Sequence, residues 1–227
     1  MKPISYSATS PPKTEVGLSN HLRHLFPANT SSISRRKPIL QVGVNDADYV
    51  TQPMVDGVRF RCPAYITWKH VLTRACDYKF QAKKPTYRGV TISKEWHSFM
   101  GFRDWWENNH VDGYQLDKDL LFAGNREYGP MTCVYVPPWL NTFTTDHSSA
   151  RGDFPIGVYR HKGKLMARCC NPITGKEEFL GYFSLPENAY QAWLTRKLEL
   201  ADALQPLMDA IDQRIHPTVC DTIRNAR

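Results

Sequence analysis

The stretch from Phe154 to Leu204, FPIGVYRHKGKLMARCCNPITGKEEFLGYFSLPENAYQAWLTRKLELADAL, constrains the fold of this chain more than any other. Three short strand-like runs are separated by HKGK and NPITGK, both suited to tight turns. The period then changes, and Ala189, Trp193, Ala201 and Leu204 recur at helical spacing. Ser184-Leu-Pro-Glu187 reads as a capping box with Pro186 in the first helical turn. Pro206 is expected to break or kink that helix, with Leu207, Ile211 and Ile215 starting another face. The expectation is a three-stranded antiparallel sheet packed on a long helix. Strand alternation puts Leu165, Ala167 and Cys169 on the face that meets Ala189 and Trp193. Lys164, Met166, Arg168 and Cys170 then lie on the other face.

Upstream, Tyr65, Trp68, Leu72 and Ala75 mark an amphipathic helix over 64–77, and Val90-Thr91-Ile92 a short strand. Ser93 is a suitable N-cap for a helix whose Trp96, Phe99, Phe102 and Trp106 form one broad apolar face. In GYQLDKDLLFAGNREYGPMTCVYVPPWLN, residues 113–141, a short strand ends in acidic residues. A Gly-Asn turn, a second strand and Asn141 follow. The fold class is therefore α+β. Residues 1–45, rich in Ser, Thr and Pro, read as a disordered or extended basic arm. Residues 46–143 read as one domain, 144–153 as a linker and 154–227 as a second domain.

Charge is unevenly distributed. Residues 1–45 carry six Lys/Arg against one Glu, 46–150 carry twelve of each sign, and 151–197 carry eight basic against four acidic. Basic ends around a neutral middle suit a polyanion, with Arg35-Arg36-Lys37 available to a phosphate backbone. No apolar run reaches the roughly 18–20 residues needed to span a bilayer. MKPISYSATSPPKTE has no hydrophobic block of the secretory type. The six cysteines form no CxxC pair, which points to reduced thiols rather than a disulfide framework or a structural zinc site.

Residues 65–141 resemble the phage HNH, or His-Me finger, homing-endonuclease-like proteins. The likeness rests on Tyr65 to Trp68, Arg74, PTYRGV at 85–90, EWxxF at 95–99, LDKDLL at 116–121, GNREYGPMTCVYVP at 124–137 and Asn141. Residues 155–197 look like the ethylene-response-factor type of DNA-binding domain. GVY at 157–159, the following turn with Lys164, Ala167, and LGYF at 180–183 carry that likeness. The resemblances imply a phage protein acting on double-stranded DNA in the host bacterial cytoplasm.

From the first resemblance, Asp117 and Asn141 are expected to hold Mg2+ or another divalent cation, and Asn125 to brace the site. Lys118 stands where the general-base histidine should be. A lysine at its ordinary pKa, near 10.4, is almost wholly protonated at neutral pH and is a poor base. Asp119 faces the same side of the strand as Asp117, within reach of one metal or one water. His110 and His147 flank the segment as other sources of a base. From the second resemblance, Tyr159 matches a DNA-contacting position. The basic sheet, through Arg160, His161, Lys162, Lys164 and Arg168, is expected to bind DNA together with Arg35, Arg36 and Lys37. Three functions are thus open: a metal-dependent DNA nicking or cutting enzyme, a catalytically inactive DNA-binding regulator on the same frame, and an anti-host interaction protein.

Overall fold

The structure, a computed structural model, describes residues 12–145 and 154–226. It begins with α1 (Glu15–Leu25), α2 (Thr30–Ser34), a hairpin of β1 (Met54–Val55) and β2 (Val58–Arg59), α3 (Pro63–Cys76), α4 (Tyr78–Lys83), β3 (Thr91–Ile92) and α5 (Phe99–Asn109). It continues with β4 (Gln115–Asp117), β5 (Glu127–Tyr128), β6 (Val134–Val136) and α6 (Pro138–Phe143). The last elements are β7 (Val158–His161), β8 (Lys164–Asn171), β9 (Lys176–Phe183), α7 (Pro186–Asp209) and α8 (Ile215–Asn225). This is a mixed α+β chain. It divides into two compact units, 1–112 with 126–133, and 113–125 with 134–227. Among the described residues no helix is long and apolar enough to cross a membrane.

The first unit is built on aromatic packing between α3 and α5. Trp68, Trp96, Phe99, Phe102 and Trp106 are fully buried. Phe99 meets Tyr65 edge-on at 5.1 Å and Trp68 at 5.4 Å, and the Trp68 indole donates to the Trp96 carbonyl. Burying each such ring contributes roughly 2–3 kcal/mol. The helix does not start after Ser93. Residues 94–97 form a 3-10 turn, and Ser98 caps α5 by accepting from the Gly101 amide. Asp46 fixes that start by accepting from the Ser98 hydroxyl at 2.6 Å and the Met100 amide at 2.9 Å.

The described part of the arm, residues 12–45, is ordered, contrary to the expectation. Its Ser, Thr and Asn residues act as helix caps, so their abundance marks local structure here. Thr14 accepts from the Gly17 amide, and Asn29 forms a capping box with Ser32. Leu22 is fully buried, and Ser19 hydrogen-bonds with Cys62 at 3.3 Å.

In the second unit, β7, β8 and β9 form the expected antiparallel sheet in that order. Lys162 and Gly163 take the two positive-φ positions of the first turn (48° and 79°), the pattern of a two-residue hairpin with matching twist. Asn171 closes the second turn, its side-chain oxygen accepting from the Ile173 and Thr174 amides. Val158, Leu165 and Ala167 face inward and pack with Ala189 of α7. Gly157 has a φ of +78°, and an added Cβ would sit 2.1 Å from Trp193.

Ser184 does not cap α7. Leu185 occupies the N-cap without a side-chain bond. Nor does Pro206 end the helix, which runs on to Asp209. Pro206 and Asp202, whose carbonyl loses its usual donor, are both exposed, while Leu204 and Met208 on the opposite side are buried. Water can take the freed carbonyl, and core packing holds the helix course. Leu120, Leu121, Val136 and Leu140 join the same core as α7 and α8.

Candidate nucleic-acid interface and the β-β-α frame

Strand β4 pairs antiparallel with β6, Gln115 to Val136 and Asp117 to Val134, and α6 follows directly. The Asn141 amide on α6 donates to the Gln115 side chain at 2.7 Å. Gln115 and Asp117 lie two residues apart on β4 and project to one side, roughly 7 Å apart along the strand. Asn141 is therefore tied to the strand one side-chain position away from Asp117. The Asp117 Oδ1 accepts from the Asp119 and Leu120 amides at 2.6 and 2.9 Å. Burial pushes the Asp117 carboxyl above the usual range, and those two amides work against the rise.

The loop after β4 is closed by a reciprocal pair. Asn125 donates its amide to the Lys118 carbonyl at 2.6 Å. The buried Lys118 ammonium is ion-paired with Asp119 and lies 3.4 Å from the Asn125 carbonyl. Asp119 thus turns to Lys118. The free oxygens of Asp117 and Asn141 have the hard-donor chemistry that suits magnesium, and neither makes a hydrogen bond among the described residues. His110 belongs to the first unit. Its Nε2 is 3.1 Å from both Glu15 and Asp112, and its ring stacks on Trp106 at 4.4 Å. It fastens α1 to the end of α5. His147 lies outside the described residues.

On the outer face of the sheet the register places Tyr159, Met166 and Tyr182 side by side, with Arg168 beside Phe179. Simple alternation would separate residues 179 and 182. The irregularity between Ala167 and Arg168, opposite Gly181 with φ of +128°, returns them to one face. Phe179 and Tyr182 then meet edge-on at 5.1 Å. Tyr159, Phe179 and Tyr182 are 40%, 56% and 53% exposed, too open to be core. Lys164 Nζ lies 5.7 Å from the Tyr182 ring centre, and Arg168 is ion-paired with Glu177 at 2.8 Å. His161 and Lys164 are cross-strand partners, Lys162 sits in the turn, and Arg160 lies over Phe154. Phe179 and Tyr182 are the residues that strand alternation missed, because a bulge is not visible in spacing.

Arg36 has a different role from the one expected. Its guanidinium donates to the carbonyls of Asn45, Ala47 and Tyr49 at 2.9, 2.6 and 3.0 Å. Arg35 bonds Ser31, and Lys37 is exposed. Among the described residues two clusters have metal-ligand chemistry, Glu15–His110–Asp112 and Asp202–His216–Cys220. Neither includes Asp117. No family model matches the chain, and no curated protein or solved structure is significantly similar to it.

Proposed function

We propose that the chain binds double-stranded DNA through the outer face of β7–β9. The observation that carries this reading is the exposed triad Tyr159, Phe179 and Tyr182 beside Lys164 and Arg168. Exposed aromatic rings cost solubility and mark contact surfaces. On a sheet able to enter the major groove, rings contact thymine methyls or sugars, Arg168 reaches guanine, and Lys164 reaches phosphate. Fluorescence anisotropy with a labelled duplex tests it. Tyr159→Ala and Tyr182→Ala should each weaken binding about ten- to a hundredfold, by the loss of roughly 1.5–3 kcal/mol for each ring taken from water. Lys164→Ala should reduce the salt dependence of binding. Unchanged affinity in all three variants rejects the face.

The β4–β6–α6 frame supports a second reading, metal-dependent cleavage. Asn125 braces the loop, and Asp117 and Asn141 offer oxygen donors from neighbouring positions. A divalent cation held there would stabilise charge on a scissile phosphate. Asp117 and Asn141 would orient it, and Lys118, tied to Asp119, would offer charge to the phosphate rather than take a proton from water. On this frame we favour binding without efficient cleavage. Plasmid nicking that EDTA abolishes and that Asp117→Asn removes would establish the enzyme instead.

A further inference from the structure

Strand β7 is shorter than its neighbour. It pairs with β8 only from Ala167 back to Lys164, so residues 168–171 of β8 have β9 on one side and, among the described residues, no strand on the other. A cavity of about 740 Å³ lies at this open edge. Trp139 and Phe143 of α6, Trp193 and Lys197 of α7, and Tyr159 and Arg168 of the sheet line it. Small-ligand sites occupy roughly 300–1,000 Å³, so the volume suits a ligand larger than a simple ion.

Lys197 shows what kind of ligand. It is only 9% exposed, and among the described residues its ammonium has no hydrogen bond or ion pair. Its ammonium lies 3.7 Å from the centre of the Phe143 ring. Burial pushes its pKa down. A ring face compensates only part of the cost of burying a cation, whereas an anion would compensate far more. The acidic residue of the lining, Glu177, is already paired with Arg168. The cavity therefore has an unneutralised positive charge within aromatic walls. Its complement is a single anionic group on a flat, apolar body. Tyr159 and Arg168 belong both to this lining and to the outer sheet face, so such a ligand sits where a nucleic-acid strand would pass.

We propose that this cavity binds a nucleotide, with its phosphate at Lys197 and its base against the aromatic walls. The choice of a nucleotide rests on the reading of the sheet as a DNA-binding face. The ligand is either a free mononucleotide or one nucleotide turned out of the bound duplex, as in enzymes that extrude bases.

The full chain is titrated calorimetrically with inorganic phosphate, with thymidine monophosphate and with a short duplex. The same titrations use Lys197→Met and Tyr182→Ala. Lys197→Met keeps the length of the side chain and removes a buried charge, so its melting temperature should equal or exceed that of the parent. Thymidine monophosphate should bind more tightly than phosphate, and Lys197→Met should weaken it at least tenfold. Tyr182→Ala, outside the cavity lining, should leave it unchanged. If the mononucleotide does not bind but Lys197→Met weakens the duplex at least tenfold, the turned-out nucleotide is the source. Binding of thymidine monophosphate without duplex binding would retain the cavity assignment and overturn the DNA-binding face. The proposal is overturned if Lys197→Met leaves both mononucleotide and duplex binding unchanged, if phosphate alone binds as tightly as the mononucleotide, or if neither mononucleotide nor duplex binds.

Discussion

Replacing Arg36 by Met separates a structural role from a DNA contact. The parent guanidinium donates to three carbonyls between residues 45 and 49. A hydrogen bond from a charged donor contributes about 1.5–3 kcal/mol. The three cannot be summed, because Arg36 is half-buried and water will reach some vacated carbonyls. Ala47 and Tyr49 are almost wholly buried, so part of the loss will remain uncompensated. A net destabilisation of about 3 kcal/mol follows, which lowers the melting temperature of a unit of about 120 residues by roughly 12 °C. Arg36→Lys, with one ammonium for three acceptors, should fall between. Thermal unfolding followed by near-ultraviolet circular dichroism is weighted toward the first unit, which holds the buried Trp68, Trp96 and Trp106, so the shift should appear in the larger part of the signal. Duplex affinity measured below the transition should change less than twofold. An Arg36→Met protein that melts like its parent yet binds DNA at least fivefold more weakly would refute the clamp and restore the phosphate contact.

Gly157→Ala should destabilise the second unit by about 3 kcal/mol or more, since a positive φ and a 2.1 Å approach to Trp193 both oppose a Cβ; denaturant unfolding measures it, and a loss below 0.5 kcal/mol would contradict the packing. The Arg196 guanidinium holds Glu178 down to about 2, so this pair's contribution is present above the ordinary glutamate range and is lost as pH falls toward 2. Acid titration of Glu178→Gln against the parent should show the parent's advantage vanish over that interval, and parallel curves would contradict it. Lys118→His places an imidazole where the nuclease resemblance expects a general base; if the proposed frame holds Mg2+, nicking should rise roughly 10²–10⁴-fold over the parent, and no rise in a folded protein would reject the nuclease geometry.

The sheet and long helix were legible because turn chemistry and period agree: Lys162-Gly163 and Asn171 each encode their turn locally. The helix starts were less so. Ser93 has the chemistry of a cap, yet Asp46, far from it in the chain, fixes Ser98 in that place. Ser184-Leu-Pro-Glu187 matches a capping box in spacing, yet Leu185 takes the cap position. The order of residues 12–45 was not legible because Ser, Thr and Asn favour both disorder and capping, and what separates the two is tertiary, such as the burial of Leu22. Within the candidate interface, Lys164 and Arg168 follow from alternation, and Tyr159 from the resemblance. Phe179 and Tyr182 do not, because their common face depends on a bulge. The role of Arg36 was not legible, because nothing in SRRKP reveals three carbonyl acceptors about ten residues on.

The same local bonds that make the β4 loop look catalytic also hold it in the core. Asp117 closes the turn that leads to Leu120 and Leu121, and Asn125 fastens its far end to Lys118. Both leucines are buried with Val136 and Leu140. A frame of this kind can persist through its contribution to stability even where no proton is ever removed from water. Asp117→Ala therefore confounds two losses, a ligand and a turn. Asp117→Asn keeps an acceptor for the Asp119 and Leu120 amides while removing the charge. Because burial raises the Asp117 pKa, the ionised side chain weakens the fold above the usual aspartate range and ceases to do so once protonated. Asp117→Asn should thus be at least as stable as the parent at neutral pH, with the difference fading in acid. A neutral-pH loss of stability in Asp117→Asn would mean that the carboxylate is held by a stronger partner than these two amides, and the reading of the loop as a turn-stabilised frame would fail.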